Sequence, residues 1–344
     1  MSNPYTLMFG KQPSQLIVRS EMRQQIINSF LEEENPQQIY MISGIRGCGK
    51  TVFMTEIAKR MQEENWVVVE LNPEKDLLQG LASKLSSENN LAKIFRSANI
   101  NLSFFGFGVE IKGVAPITDI ETALNKMLSS LKKKGKKVLV CIDEVTSSEQ
   151  MKIFAAAFQI FVRQDLPIYL LMTGLYENIN RLQNEDSLTF LYRAPKIELG
   201  PLNIGAIANN YENSFNCSYD TALEMAKLTN GYSFAFQVLG YLTYENKGKY
   251  KEIIPEYKQY LEEYVYIKIW SELSDKDREV LLAIAKNKSG KVSEIKDILN
   301  ISSNEFNPYR QRLIKKGVVD GNKYGYLRFT LPLFNYFVLE NYDD

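Results

Sequence analysis

No histidine occurs among the 344 residues, and that absence excludes more chemistry than any other feature of the composition. A Ser-His-Asp or Cys-His nucleophile, a histidine proton shuttle and a His-ligated metal centre are all impossible. Cysteine is scarce as well. Cys48, Cys141 and Cys217 lie far apart without C-x-x-C spacing, which argues against a zinc ribbon or disulfide framework and fits a reduced, cytoplasmic compartment. Charge of one sign is missing too: 41 Lys+Arg balance 41 Asp+Glu, so any nucleic-acid surface must be local. Long hydrophobic runs are absent. The longest span five to seven residues, as at 166–172, against about 20 for a membrane helix. The N-terminal stretch MSNPYTLMFGKQPSQ has neither the basic nor the apolar region of a secretory signal. The expectation is a soluble protein with no membrane contact, with a length that suits two or three domains.

Several short apolar runs have the character of buried parallel strands: Ile39–Ser43, Val67–Leu71, Val138–Ile142, 168–172 and 196–199. Amphipathic helical patterns alternate with them. One runs over 51–62. Another follows Thr118-x-x-Glu121, which reads as a capping box ahead of Ile120, Leu124, Met127 and Leu131, and a third follows Thr146-x-x-Glu149. Strands alternating with helices predict a doubly wound parallel sheet. Residues 101–112, NLSFFGFGVEIK, interrupt the alternation and read as an inserted hairpin, its phenylalanines serving as a docking surface or packing on the main sheet. After Gly200-Pro201 the strand signal stops, and 203–270 is helical in pattern. From Ser274 three helices follow, one capped by Ser274 with Asp277, one over Val292–Leu299 and one ending at Lys316-Gly317. A hairpin signal comes next, with Asp320-Gly321 as a tight turn. Three helices and a ribbon are the winged helix-turn-helix arrangement.

The strongest chemical signal is Gly44-Ile45-Arg46-Gly47-Cys48-Gly49-Lys50-Thr51, followed by Val52, which matches G-x-x-x-x-G-K-[ST]. Its glycines let backbone N–H groups close around phosphate oxygens, and a helix N-terminus adds its positive end. Lys50 is placed to reach the β/γ-phosphates of ATP or ADP, and the Thr51 hydroxyl to ligate Mg²⁺. The motif follows a strand and opens a helix, as this chemistry requires. Cys48 lies inside the loop, where alkylation would block ATP. Further on, the run VLVCIDE ends a buried strand in two acids. Asp143 is the candidate for the Mg²⁺ shell, and Glu144 the candidate base that orients and deprotonates water. The lysines of 132–137 read as a solvated loop rather than a binding site. Thr173, polar at the end of IYLLM, is either a sensor of the γ-phosphate or a turn hydroxyl. Arg193 is either an arginine finger onto a neighbouring copy's nucleotide or half of an intramolecular ion pair.

With these residues placed, the chain resembles an AAA+ ATPase of the prokaryotic origin-recognition-like type that borders the STAND signalling ATPases. GIRGCGKT is similar to that family's Walker A, VLVCIDEV to its Walker B, and Thr173-Gly174-Leu175 falls at its sensor-1 strand end. RAPKIELGPL resembles the arginine-bearing segment that closes the core, LTNGYSFAFQVLGYL the lid's Gly-x-Pro helix, and LIKKGVV with YLRFTLPLF the winged helix. The resemblance implies an α/β P-loop NTPase core with an AAA+-type parallel sheet (1–202), a helical lid (203–270) and a winged helix (271–344). Two departures stand out. Residues 230–240 contain no Arg or Lys, where many such lids carry a sensor-2 arginine, and Ser233 stands where the Gly-x-Pro motif has proline. The implied function is an ATP-hydrolysing switch, slow in turnover, with Mg²⁺ as its metal.

A DNA-facing surface would use Arg310, Arg312, Lys315 and Lys316 on the third helix, which Asn307 would cap with Pro308 in its first turn, and Lys323 and Arg328 on the ribbon. The segment 275–344 holds 12 Lys/Arg against 10 Asp/Glu, well short of a strongly basic module. Tyr324 and Tyr326 either meet a nucleic-acid backbone or pack across the ribbon. Double-stranded DNA is therefore one partner the sequence suggests. The alternative is a STAND-like nucleotide-sensing regulator whose winged helix meets a protein partner, and a homo-oligomer is compatible with both.

Overall fold

The five apolar runs become the strands of one parallel sheet in the computed structural model, which describes residues 3–8, 13–34 and 36–342. These are β1 (Ile39–Ser43), β2 (Val67–Leu71), β3 (Val138–Ile142), β4 (Ile168–Gly174) and β5 (Lys196–Glu198), in the order β2-β3-β4-β1-β5. All neighbours pair in parallel. Two compact units divide the chain. One comprises Ser20–Ser43 and Lys50–Glu198, and so holds the whole sheet; the other comprises the described residues of Met1–Arg19 with Gly44–Gly49 and Leu199–Asp344.

In the sheet unit, successive strand residues face opposite sides, and both sides are covered. Met41, Val69, Val140, Leu170 and Met172 enter a core closed by α3 (Leu77–Ser87), α4 (Asn89–Ser97), α5 (Ile120–Lys132) and α6 (Glu149–Arg163). On the other side, Phe30 of α1 (Ser20–Leu31) meets Tyr40 and Tyr169 edge-on, and α1 packs against α2 (Lys50–Glu63). The Lys137 ammonium lies 5.0 Å above Trp66, a cation–π contact, while Lys132, Lys133 and Lys134 are exposed. The 132–137 run is thus a solvated loop with one end fastened. A short helix, α7 (Tyr176–Gln183), follows β4.

Local details correct the sequence reading. The segment 101–112 forms no strands. It makes a 3-10 turn at Ser103–Phe105, and Gly106 and Gly108 at φ 72° and 70° break any extended run. Leu102 and Val109 are buried, Phe105 and Phe107 stack 5.5 Å apart against the core, and Phe104 points outward, 60% exposed. The N-cap of α5 is Asp119 rather than Thr118, because its carboxylate reaches the Thr122 N–H. That of α6 is Ser148 rather than Thr146, bonding the Met151 N–H. A cap oxygen must face the amide three residues on, and only these side chains do.

The second unit is mostly helical and has its own core. It begins with α8 (Ile204–Phe215), α9 (Tyr219–Lys227) and α10 (Ser233–Glu245). A continuous helix then runs through α11 (Ile254–Leu261), a π turn (Glu262–Tyr266) and α12 (Ile267–Ser271). Next come α13 (Asp275–Lys286), α14 (Val292–Leu299) and α15 (Ser303–Lys315), an antiparallel pair β6 (Val319–Asp320) and β7 (Arg328–Phe329), and α16 (Phe334–Asn341). The Ser274–Asp277 capping box opens α13 as expected. Asn307 is not the cap of α15: Ser302 and Glu305 form a capping box upstream, and Pro308 sits inside the helix. Arg310 and Arg312 consequently lie in its middle and last turns. The ribbon is also not joined at Asp320-Gly321. Its strands are two residues each, linked through 321–327, with the Asp320 carboxylate accepting from the Asn322 N–H.

Candidate nucleotide-binding site

The metal-binding and water-activating candidates lie in the sheet unit. Strand order sets them side by side, since β4 lies between β1 and β3, and all three end at the same edge, where ligands bind in parallel sheets. Thr51, in the first turn of α2, donates its hydroxyl to Asp143 Oδ2 at 2.6 Å. Asp143 follows the last residue of β3. Its other oxygen, Oδ1, accepts from the fully buried Thr173 hydroxyl and from the Glu144 N–H at 3.0 Å. The Glu144 N–H also lies 3.3 Å from Thr173 Oγ1. Thr173 therefore orients the Asp143 carboxylate, a role the sequence alone did not suggest. Glu144 is exposed and left-handed at φ 54°, a conformation costing a side chain of this kind about 1–2 kcal/mol. Lys50 is buried at the helix start, and Val52 is half-buried beside Thr51. Arg193 is exposed next to the exposed Tyr192 and takes no part in an ion pair among the described residues.

The loop Gly44–Gly49 belongs to the second unit. Gly47 and Gly49 have φ of 75° and 93°, conformations that only glycine adopts without strain. A Cβ on Gly44 would come within 2.6 Å of Cys48 Sγ, and one on Gly47 would strike the Tyr232 hydroxyl. Cys48 is 4% exposed, so its thiol is largely shielded from solvent. Ile45 packs into the helical core beside Gly317, and Arg46 pairs with Glu272 at 3.6 Å. The carbonyls of Arg46, Gly47 and Cys48 accept from Tyr232, Phe234 and Ser233, all at the start of α10. Sequence reasoning missed these contacts. Residues 230–240 were visible as a helical segment, but nothing in them marks which backbone groups they meet.

Of the basic residues assigned to DNA, Arg312 is committed elsewhere. Its guanidinium reaches the buried Asp277 carboxylate at 2.6 and 2.9 Å and fastens α15 to α13. Lys315, Lys323 and Arg328 are exposed, and Arg310 and Lys316 are half-buried. The Lys323 ammonium lies 4.2 Å above the half-buried Tyr326 ring, whereas Tyr324 is 98% exposed. The two tyrosines therefore do not pack across the ribbon as a pair.

A strand–glycine loop–helix unit, with Thr51 against an acid at the end of β3, one strand removed from β1 in the parallel sheet, defines the P-loop ATPase fold. Residues 21–166 match the family model described as an ATPase domain predominantly from Archaea, and 263–338 match a domain of unknown function. No curated protein matches the sequence. Among solved structures, the Walker-type ATPase PABY2304 of Pyrococcus abyssi is similar over 97% of this chain and 99% of its own, with a TM-score of 0.67 and 17% identity. The ORC2 protein of Aeropyrum pernix, solved in ADPNP–ADP complexes, is similar over 98% of this chain and 95% of its own, with a TM-score of 0.58 and 14% identity. Among the described residues no helix is long and apolar enough to cross a membrane.

Proposed function

We propose that the protein is an ATP-binding and ATP-hydrolysing molecular switch of the AAA+ origin-recognition-like type, working slowly and coupled to double-stranded DNA through residues 271–344 as a winged helix. The observation that carries the ATPase reading is the 2.6 Å contact between Thr51 Oγ1 and Asp143 Oδ2. These are two hard oxygen donors of the kind Mg²⁺ takes alongside phosphate oxygens and water. Mg²⁺ held there would neutralise charge developing on the transferred phosphoryl group. Lys50 would meet the β/γ-phosphates, and the N–H groups of 44–52 would surround them. Glu144, exposed beside Asp143, would accept the proton of the attacking water. Arg193, exposed and without an ion-pair partner among the described residues, suits action in trans on the nucleotide of a second copy. Calorimetric titration tests the binding half. Wild type should bind MgATP and MgADP, and Lys50→Ala should show no heat of binding. Equal affinities in the two proteins would refute the site.

A second reading has its own support: a STAND-like switch whose C-terminal segment meets a protein partner. It is favoured by the commitment of Arg312 to Asp277, which removes one cation from an already modest basic face. Fluorescence anisotropy with random duplex DNA separates the two readings. Absence of binding at low salt would leave the protein-partner reading.

A further inference from the structure

The resemblance leads one to expect a lid cation on the nucleotide, and residues 230–240 hold none. What the start of α10 offers instead is a row of hydrogen-bond donors on the phosphate loop. The Tyr232 hydroxyl donates to the Arg46 carbonyl at 2.6 Å, the Phe234 N–H to the Gly47 carbonyl at 3.1 Å, and the Ser233 hydroxyl to the Cys48 carbonyl at 2.8 Å. The Arg19 guanidinium donates to that same Cys48 carbonyl at 3.0 Å and to the Gly200 carbonyl at 2.8 Å. Phe234 N–H is one of the amides that a helix start leaves without an intrahelical partner, and here it is satisfied by the loop.

Peptide geometry converts these contacts into a statement about phosphate binding. In a planar trans peptide the C=O and the following N–H point in opposite directions, and no cis bond occurs among the described residues. Holding the Arg46 carbonyl toward α10 turns the Gly47 N–H away from it. Holding the Cys48 carbonyl does the same for the Gly49 N–H. The Cys48 N–H, opposite the Gly47 carbonyl, donates to the Ile45 carbonyl at 3.3 Å. Left-handed Gly47 and Gly49 are the hinges that let consecutive amides face one way, the concave arrangement that receives anions.

We infer that Tyr232 and Ser233 are positioning residues of the nucleotide site: their hydroxyls hold the phosphate-loop carbonyls so that the Gly47 and Gly49 amides are aimed at the polyphosphate before it arrives. The inference rests on the nucleotide-binding reading above. It makes the serine at 233 functional, since proline, which the Gly-x-Pro motif carries, has no side-chain donor. It also gives the lid a link to phosphate that needs no cation. Burial keeps the Tyr232 phenol well above its ordinary pKa, with Cys48 adding to the effect, so the group stays a donor at any working pH.

The test uses the full chain, with equilibrium titrations of MgADP, MgATP and, as a control without phosphate, adenosine. Tyr232→Phe and Ser233→Ala each remove one donor to the loop, and Ser233→Ala also removes the acceptor of a long 3.4 Å contact from Arg19. Combined, they should raise the dissociation constants of MgADP and MgATP by about tenfold, in line with one or two lost hydrogen bonds. Binding stoichiometry should be unchanged, adenosine should be unaffected, and Ser233→Thr, which keeps the hydroxyl, should match wild type. A merely structural role would instead lower the stoichiometry and leave the constants alone, and that result overturns the inference. Constants within about twofold of wild type also overturn it, while the nucleotide reading stands as long as wild type binds and Lys50→Ala does not. Failure of wild type to bind either nucleotide would remove the reading and the inference together.

Discussion

Thr51, Asp143 and Thr173 form a chain of hydroxyl, carboxylate and hydroxyl in which Asp143 uses both oxygens. Losing the Thr173 donor frees Asp143 to rotate while the phosphate loop is untouched. Thr173→Val, close in shape, should keep MgADP affinity within about twofold and lower ATP turnover by about tenfold. Parallel calorimetry and phosphate-release assays read the two quantities. Lys50, Thr51, Asp143 and Glu144 could be named as candidates from the sequence because they lie in a contiguous loop and at a strand end. Thr173 was visible as a polar strand end, but its partner was not, since the contact spans 30 residues and depends on β4 lying between β1 and β3. The Tyr232–Arg46 contact spans 186 residues, and no local pattern announces it.

Among the elements, the strands were the most readable, because burial on both faces demands unbroken apolar runs. Helix starts were less so: Thr118 and Thr146 are sound caps by type, yet Asp119 and Ser148 take the role because their side chains reach the third amide. The hydrogen bonds from Thr122 hold the Asp119 carboxyl below its usual pKa, and those from Ser302 do the same for Glu305. A group whose folded pKa is depressed stabilises the fold above its unfolded value and loses that contribution as pH falls through the folded one. Helicity should thus decline below about pH 4, and Asp119→Asn, which caps without titrating, should show a smaller acid-induced loss by circular dichroism. An identical acid profile would count against the cap. At α15, removing Arg312 leaves the buried Asp277 carboxylate short of its cation. Arg312→Ala should destabilise the fold by about 1–3 kcal/mol in urea, while Lys315→Ala, exposed, should change it by less than about 0.5 kcal/mol. Equal effects would mean the α13–α15 pair is not held as described.

For the whole molecule, zero net charge sets the scale of any DNA interaction. With Arg312 committed to Asp277, the exposed cations assigned to phosphate are Lys315, Lys323 and Arg328, and Arg310 is half-buried. Three neutralised phosphates would give log K against log[salt] a slope of about −3, and Lys323→Ala should make it shallower by about one. A slope near zero would transfer the C-terminal segment to the protein-partner reading. With no histidine in the chain, the proposed hydrolysis would draw its base from elsewhere, and Glu144 is the exposed acid beside the Thr51–Asp143 contact. The most direct test of this chemistry is phosphate release from saturating MgATP by wild type and Glu144→Gln, with MgATP affinity measured on both. Wild type should release phosphate slowly and Glu144→Gln about 100-fold more slowly still, at unchanged affinity. Equal release by the two proteins would contradict it.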